Sequence, residues 1–129
     1  MVIADTSVWI SFFNRPASRE KRTLDVLIDS DETAMIGVVL TEILQGCRSP
    51  KERGALKETI LALPYVDMTQ SVWIRAGEIS SALLRRGITV PIPDLIVAGV
   101  ALEHQFEVYS LDKHFQKIPG LALYTPAIS

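Results

Sequence analysis

Four carboxylates, Asp5, Glu42, Asp94 and Asp112, stand where short apolar runs meet a turn or a helix. Met1 to Ala4 lead into Asp5, Val108 to Leu111 lead into Asp112, and Leu95 to Leu102 follow Asp94, so the chain carries negative charge to the edge of its core. Acids so far apart in sequence act together only if the fold gathers them. Once gathered, each anion raises the pKa of the next, and a divalent cation relieves the repulsion. The set therefore points to a metal-binding working site.

The elements that must position these acids follow from hydrophobic pattern and punctuation. Met1 to Ala4 is apolar on both faces, as suits a buried strand of a parallel sheet, and Asp5-Thr6-Ser7 ends it. Leu24, Leu27 and Ile28 recur at helical spacing within Ala17 to Ser30. Ala34 to Val38 reads as a second strand, followed by a helix from Val39 to Gln45 that holds Glu42 and closes at Gly46. Pro50 opens a helix to about Leu63, Pro64 stops it, and Tyr65 to Asp67 reads as a short strand. A long helix runs from Gln70 to Arg86 and ends at Gly87. Pro91-Ile92-Pro93 reads as an extended connector delivering Asp94 to a helix that is apolar on every side through Leu102, the pattern of a helix buried all round. Glu107 to Leu111 and Leu121 to Tyr124 read as the last strands. Strands alternating with helices predict a three-layer α/β/α sandwich around a mostly parallel sheet. The expectation is one domain over residues 1–129.

In such a sheet ligands gather beyond the carboxyl ends of the strands, the edge that Asp5 and Asp112 occupy. Each also reads as a helix cap, because a carboxylate accepts hydrogen bonds from free helix N–H groups. Asp94 sits at the mouth of an otherwise uncharged helix, where capping and metal binding are compatible. Glu42 lies beside Thr41 and Gln45 on its helical wheel, and an ordinary solvated face has the same pattern.

The net charge of −2 and pI near 5.6 argue against coating nucleic acid by bulk electrostatics. Without the four acids the remainder is mildly basic, so polyanion binding stays open if a cation fills the centre. Cys47 stands alone, which excludes an intrachain disulfide and fits a reducing cytoplasm. Asp5 interrupts the apolar start and no basic stretch precedes it, so export is not expected. No apolar run reaches the roughly 18–20 residues needed to cross a bilayer.

The segments around the acids bear a family likeness. Asp5-Thr-Ser-Val-Trp-Ile, Thr41-Glu-Ile-Leu-Gln-Gly, Pro93-Asp-Leu-Ile-Val-Ala and Ser110-Leu-Asp-Lys-His-Phe resemble, in order and spacing, the PIN-domain ribonucleases, and most closely the VapC toxins of bacterial and archaeal toxin–antitoxin pairs. The resemblance implies that Asp5, Glu42, Asp94 and Asp112 form an acidic quartet binding Mg2+ or Mn2+. It places supporting hydroxyls at Thr6 and Ser110. It implies a cytoplasmic endoribonuclease leaving 5′-phosphate and 3′-hydroxyl ends, commonly a homodimer, inhibited by a VapB-type antitoxin whose tail crosses the active site. Because magnesium keeps several waters, one or two direct carboxylates suffice. Asp5 and Asp94 are expected as direct ligands, with Asp112 and Glu42 holding waters or a second ion.

Candidates for gripping phosphates are Arg15, Arg19, Lys21 and Arg22, then Arg48, Lys51 and Arg53, then Arg85 and Arg86, each group also readable as solvated charge. His104 and His114 lack zinc spacing and are read as surface residues. Trp9 and Trp73 read as core anchors or dimer contacts, and Glu78 as an exposed helix charge. No glycine-rich phosphate loop indicates a nucleotide cofactor. Other function classes remain in view. A haloacid-dehalogenase-like phosphatase needs a second Asp two residues after Asp5, where this chain has Ser7. A phosphoacceptor receiver needs an adjacent acidic pair near the first strand, which is missing. A non-catalytic dimeric module would use the acids only to receive a basic peptide, and a DNA nuclease would use them on the other sugar.

Overall fold

The computed structural model describes residues 1–127. Strand β1 (Val2–Ala4) leads to helix α1 (Thr6–Asn14), α2 (Arg19–Asp29), β2 (Thr33–Ile36), α3 (Gly37–Gln45), α4 (Pro50–Ile60), β3 (Tyr65–Val66), α5 (Gln70–Arg85), α6 (Ile92–His104) and β4 (Glu107–Tyr109), then a 3-10 turn over Lys113–Lys117. All strand pairings are parallel and the order is β3-β2-β1-β4. Val2 sits opposite Thr33 on one side and Glu107 on the other. The chain winds outward from β1 through β2 and β3, then returns to place β4 on the far side. The sheet thus has its topological switch between β1 and β4, beyond whose carboxyl ends ligands gather in such sheets.

The sheet is buried on both faces, which explains why β1 and β2 are apolar or small throughout: Val2, Ile3, Ala4, Ala34, Met35 and Ile36 are all buried. Trp9 is the largest fully buried side chain, edge-on to Phe12 and stacked on Phe13. It is therefore a core anchor, as one of its two readings has it. Helix α6 buries seven consecutive residues from Leu95 to Ala101, as its unbroken apolarity predicts. It lies close against α5 because Gly99 has no side chain: a Cβ there would come within 3.2 Å of the Val72 carbonyl oxygen.

Some boundaries differ from the pattern-based reading. Helix α1 follows β1 directly, since Asp5 ends the strand by accepting from the Val8 amide at 3.3 Å. Pro91-Ile92-Pro93 is not a wholly extended connector: only Pro91 is extended, and α6 begins at Ile92. Proline fits there because first-turn N–H groups have no intrahelical partner to lose. Leu121 to Tyr124 forms a single parallel bridge, Leu123 to Val108, rather than a strand. Two bonds still hold the segment, from the Val108 amide to the Ala122 carbonyl at 2.9 Å and from the Tyr124 amide to the Val108 carbonyl at 2.8 Å. Gly87 takes φ of 75° just after α5, the left-handed conformation that glycine adopts without penalty.

Candidate metal centre at the switch of the sheet

Each acid reaches that edge of the sheet by a different local device. Asp5 is the first residue after β1 and caps α1. Asp112 follows β4 by three residues and caps the 3-10 turn, accepting from the His114 amide at 2.9 Å. Asp94 lies in the first turn of α6 and does not cap it, where the helix dipole favours its negative charge. Glu42 projects from the middle of α3, which packs against both α1 and α6.

Asp5 is the most enclosed of the four, with only 6% of its surface exposed. Both its oxygens accept serine hydroxyls at 2.5 Å, Oδ1 from Ser7 and Oδ2 from Ser110. The serines also tie two loops together. Ser7 Oγ accepts from the Leu111 amide at 3.1 Å, and Ser110 Oγ accepts from the Asp112 amide at 2.8 Å. Thr6 donates to Glu42 Oε1 at 2.6 Å, linking α1 to α3. These bonds match the supporting role implied for Thr6 and Ser110, and they add Ser7, whose only earlier significance was that it is not an aspartate.

The acids also act on one another's charge. Burial pushes the Asp5 carboxyl up, opposed by the bonds from Ser110, Ser7 and Val8, and the charge of Asp94 adds to the rise. Burial likewise pushes Asp94 up, the His114 hydrogen bond pulls it down, and the charges of Asp112 and Glu42 push it up again. Asp94 therefore feels each of the other three acids or is felt by it.

His114 corrects the sequence reading that left it on the surface. Its Nδ1 lies 3.0 Å from Asp94 Oδ2 and 3.0 Å from Asp112 Oδ1. A proton on Nδ1 would bridge the two carboxylates. The 3-10 turn that Asp112 caps swings the imidazole back over the acids. The only available signal was its position two residues beyond Asp112. His104, stacked on Phe106 at the end of α6, stays outside the site.

The donor set fits a hard divalent cation. Ligand atoms of Asp94, Asp112 and His114 all lie within 4.8 Å of one another, Asp5 and Glu42 lie within electrostatic reach of Asp94, and the acids supply carboxylate oxygens, which suit magnesium and manganese. Asp5, with its orientation fixed by two serines, has the outer support that metal-binding carboxylates typically carry.

A family model, the PIN domain, matches residues 2–121. This chain belongs to the PIN-domain family. Within it, Ribonuclease VapC21 of Mycobacterium tuberculosis is 35% identical over 109 residues, covering 82% of this chain and 78% of the relative. Among solved structures, VapBC2 from Rickettsia felis, bound to a DNA fragment from their promoter, superposes with a TM-score of 0.84 at 20% identity, covering 96% of this chain and 98% of that one. A toxin–antitoxin complex from Klebsiella pneumoniae gives a TM-score of 0.71 at 18% identity, covering 98% of this PIN chain and 100% of that one. The α/β/α sandwich with a parallel sheet is thus the PIN fold.

Proposed function

We propose that this chain is a divalent-metal-dependent endoribonuclease of the VapC type, the toxin of a toxin–antitoxin pair. The observation that carries this reading is the gathering of Asp5, Glu42, Asp94 and Asp112 at the β1–β4 switch, in a PIN-domain chain related to a VapC ribonuclease.

Asp5 and Asp94 are assigned as the direct metal ligands, with Mg2+ or Mn2+ as the ion. A bound divalent cation supplies positive charge against the scissile phosphate and makes water more acidic. The protein's own part is positional. Ser7 and Ser110 keep both Asp5 oxygens oriented, Thr6 keeps Glu42 turned toward the cluster, and Asp112 and Glu42 accept hydrogen bonds from the attacking water. Ser7, at the position where a haloacid-dehalogenase-like phosphatase needs its acid–base aspartate, spends its proton on Asp5, which leaves the phosphatase reading without support.

Two surfaces suit the partners of this reading. Beside the acids, Ile10 and Leu111 are each about half exposed and, with Phe13, border recesses that reach Ser7 and Glu42. An antitoxin tail with apolar anchors fits this margin. On another side, Trp73, Leu84 and Ile92 line a recess of about 610 Å³ between α5 and α6 and are 53%, 56% and 70% exposed. So large an apolar patch marks an interaction surface, and a second copy of the chain is assigned to it. Among the described residues no helix is long and apolar enough to cross a membrane.

The test is cleavage of RNA by the purified protein with Mg2+ or Mn2+. Chelation, Asp5→Asn and Asp94→Asn are each expected to abolish it while circular dichroism stays unchanged. Cleavage that survives in either folded variant would falsify the metal-ligand assignment.

A further inference from the structure

Beyond the acids, β4 and the segment after it frame a recess of about 200 Å³. Ser110 and Asp112 border it and also take part in the acid site, so the recess adjoins the acids. Its volume falls below the roughly 300 Å³ at which pockets for whole small molecules begin. A space of that size takes one planar group of a larger ligand.

The lining suits a nucleotide. Arg19, on the rim, makes no ion pair among the described residues, which leaves its guanidinium fork for a phosphate. Tyr124 packs against Tyr109 with ring centroids 5.4 Å apart and planes tilted by 58°, and backbone bonds to Val108 hold it in place. A ring fixed in that way is a platform for stacking a base. Tyr109 is almost fully buried beneath it, and its hydroxyl lies within electrostatic reach of Arg19 and Tyr124. Gln116 and Thr125 are exposed at the same recess and between them offer donors and acceptors, as reading a base edge requires. The larger recesses along α5 touch none of the four acids.

We propose that this recess receives the unstacked base next to the scissile phosphate of a single-stranded RNA, with Tyr124 stacking on it, Gln116 and Thr125 meeting its edge and Arg19 holding the adjoining phosphate. The assignment rests on the nuclease reading for its substrate, and it makes these residues determinants of cut-site preference.

Two measurements test it. In the first, single-stranded RNA randomised around the cut site is digested with Mn2+ and the product ends are sequenced. Gln116→Ala is expected to flatten base preference at one flanking position and leave the others unchanged. Tyr124→Ala is expected to raise KM roughly tenfold, the scale of one lost base stack, and Tyr124→Phe to restore it. In the second, a fluorescent single-stranded RNA hexamer is titrated into Asp94→Asn protein without turnover, and adding Arg19→Ala or Tyr124→Ala is expected to weaken binding severalfold. Absence of cleavage by the parent protein overturns the nuclease reading, and the binding titration then decides the recess alone. Unchanged hexamer affinity in folded Arg19 and Tyr124 variants overturns the recess, including the case where those variants lose a protein partner instead.

Discussion

The Ser110 hydroxyl donates to Asp5 Oδ2 at 2.5 Å across 105 residues of sequence. That bond fastens the end of β4 to the end of β1, the two strands that flank the switch of the sheet. Its acceptor is the most buried of the four acids. The same oxygen of Ser110 accepts from the Asp112 amide, so one side chain sets the position of two acids.

Ser110→Ala should therefore affect both. The variant leaves Asp5 Oδ2 and the Asp112 amide without partners, a loss of about 1–3 kcal/mol where such groups are buried. RNA cleavage at limiting metal is expected to fall roughly 10- to 100-fold, the usual range for losing the outer support of a metal ligand. Ser7→Ala should fall in the same direction. If saturating Mn2+ leaves both variants as slow as at limiting metal, with unchanged metal affinity, the serines do not act through Asp5.

Asp94→Asn should raise the stability of the metal-free protein at neutral pH. The folded-state pKa of Asp5 and of Asp94 lies above the ordinary value of 3.8. The folded protein thus holds these protons more tightly than the unfolded chain does. Their stabilising contribution is complete below the unfolded pKa and is lost as pH rises through the raised values. At pH 7 the variant is expected to melt at a higher temperature than the parent protein. The gap should close as pH falls through the raised carboxyl range. Saturating Mg2+ or Mn2+ should reverse the order, because the ion stabilises only the protein that binds it. Thermal melts at several pH values, with and without metal, decide this, and a gap constant with pH would count against it.

His114→Ala removes the donor that stands between Asp94 and Asp112. Its Tm is expected to drop in the metal-free protein, where the two carboxylates then face each other unscreened. The drop should shrink when a divalent cation takes over the screening. An equal loss in both states would mean that the imidazole contributes only packing.

For the second-copy interface proposed at the α5–α6 recess, Trp73→Glu should leave a monomer where the parent protein is a dimer, as measured by light scattering after gel filtration. Trp73 is more than half exposed, so helix content and melting are expected to change little. A variant that remains dimeric would move the interface away from the α5–α6 recess.

The sequence by itself determined where each acid stands relative to its element. Asp5 and Asp112 follow apolar strands, Asp94 stands in the first turn of a helix whose apolarity on every side required burial, and Glu42 lies inside a helix beside polar neighbours. Those are local consequences of pattern and punctuation, and hydrophobic periodicity reports them directly. The parallel α/β/α architecture was legible for the same reason. Glu42 was the weakest of the four in sequence, because one helical wheel does not reveal that Thr6, 36 positions earlier, would bond to it.

Only the tertiary structure decided which groups meet. The order β3-β2-β1-β4 put β1 beside β4, and that adjacency alone brings Ser110 to Asp5. His114 illustrates the limit most plainly: spacing gave it no partner, yet a turn capped by Asp112 returned its ring to Asp94, 20 positions away. Spacing along a chain encodes the direction of a side chain within its own element, whereas a site assembled from separate elements depends on sheet order and loop geometry, which long-range packing sets.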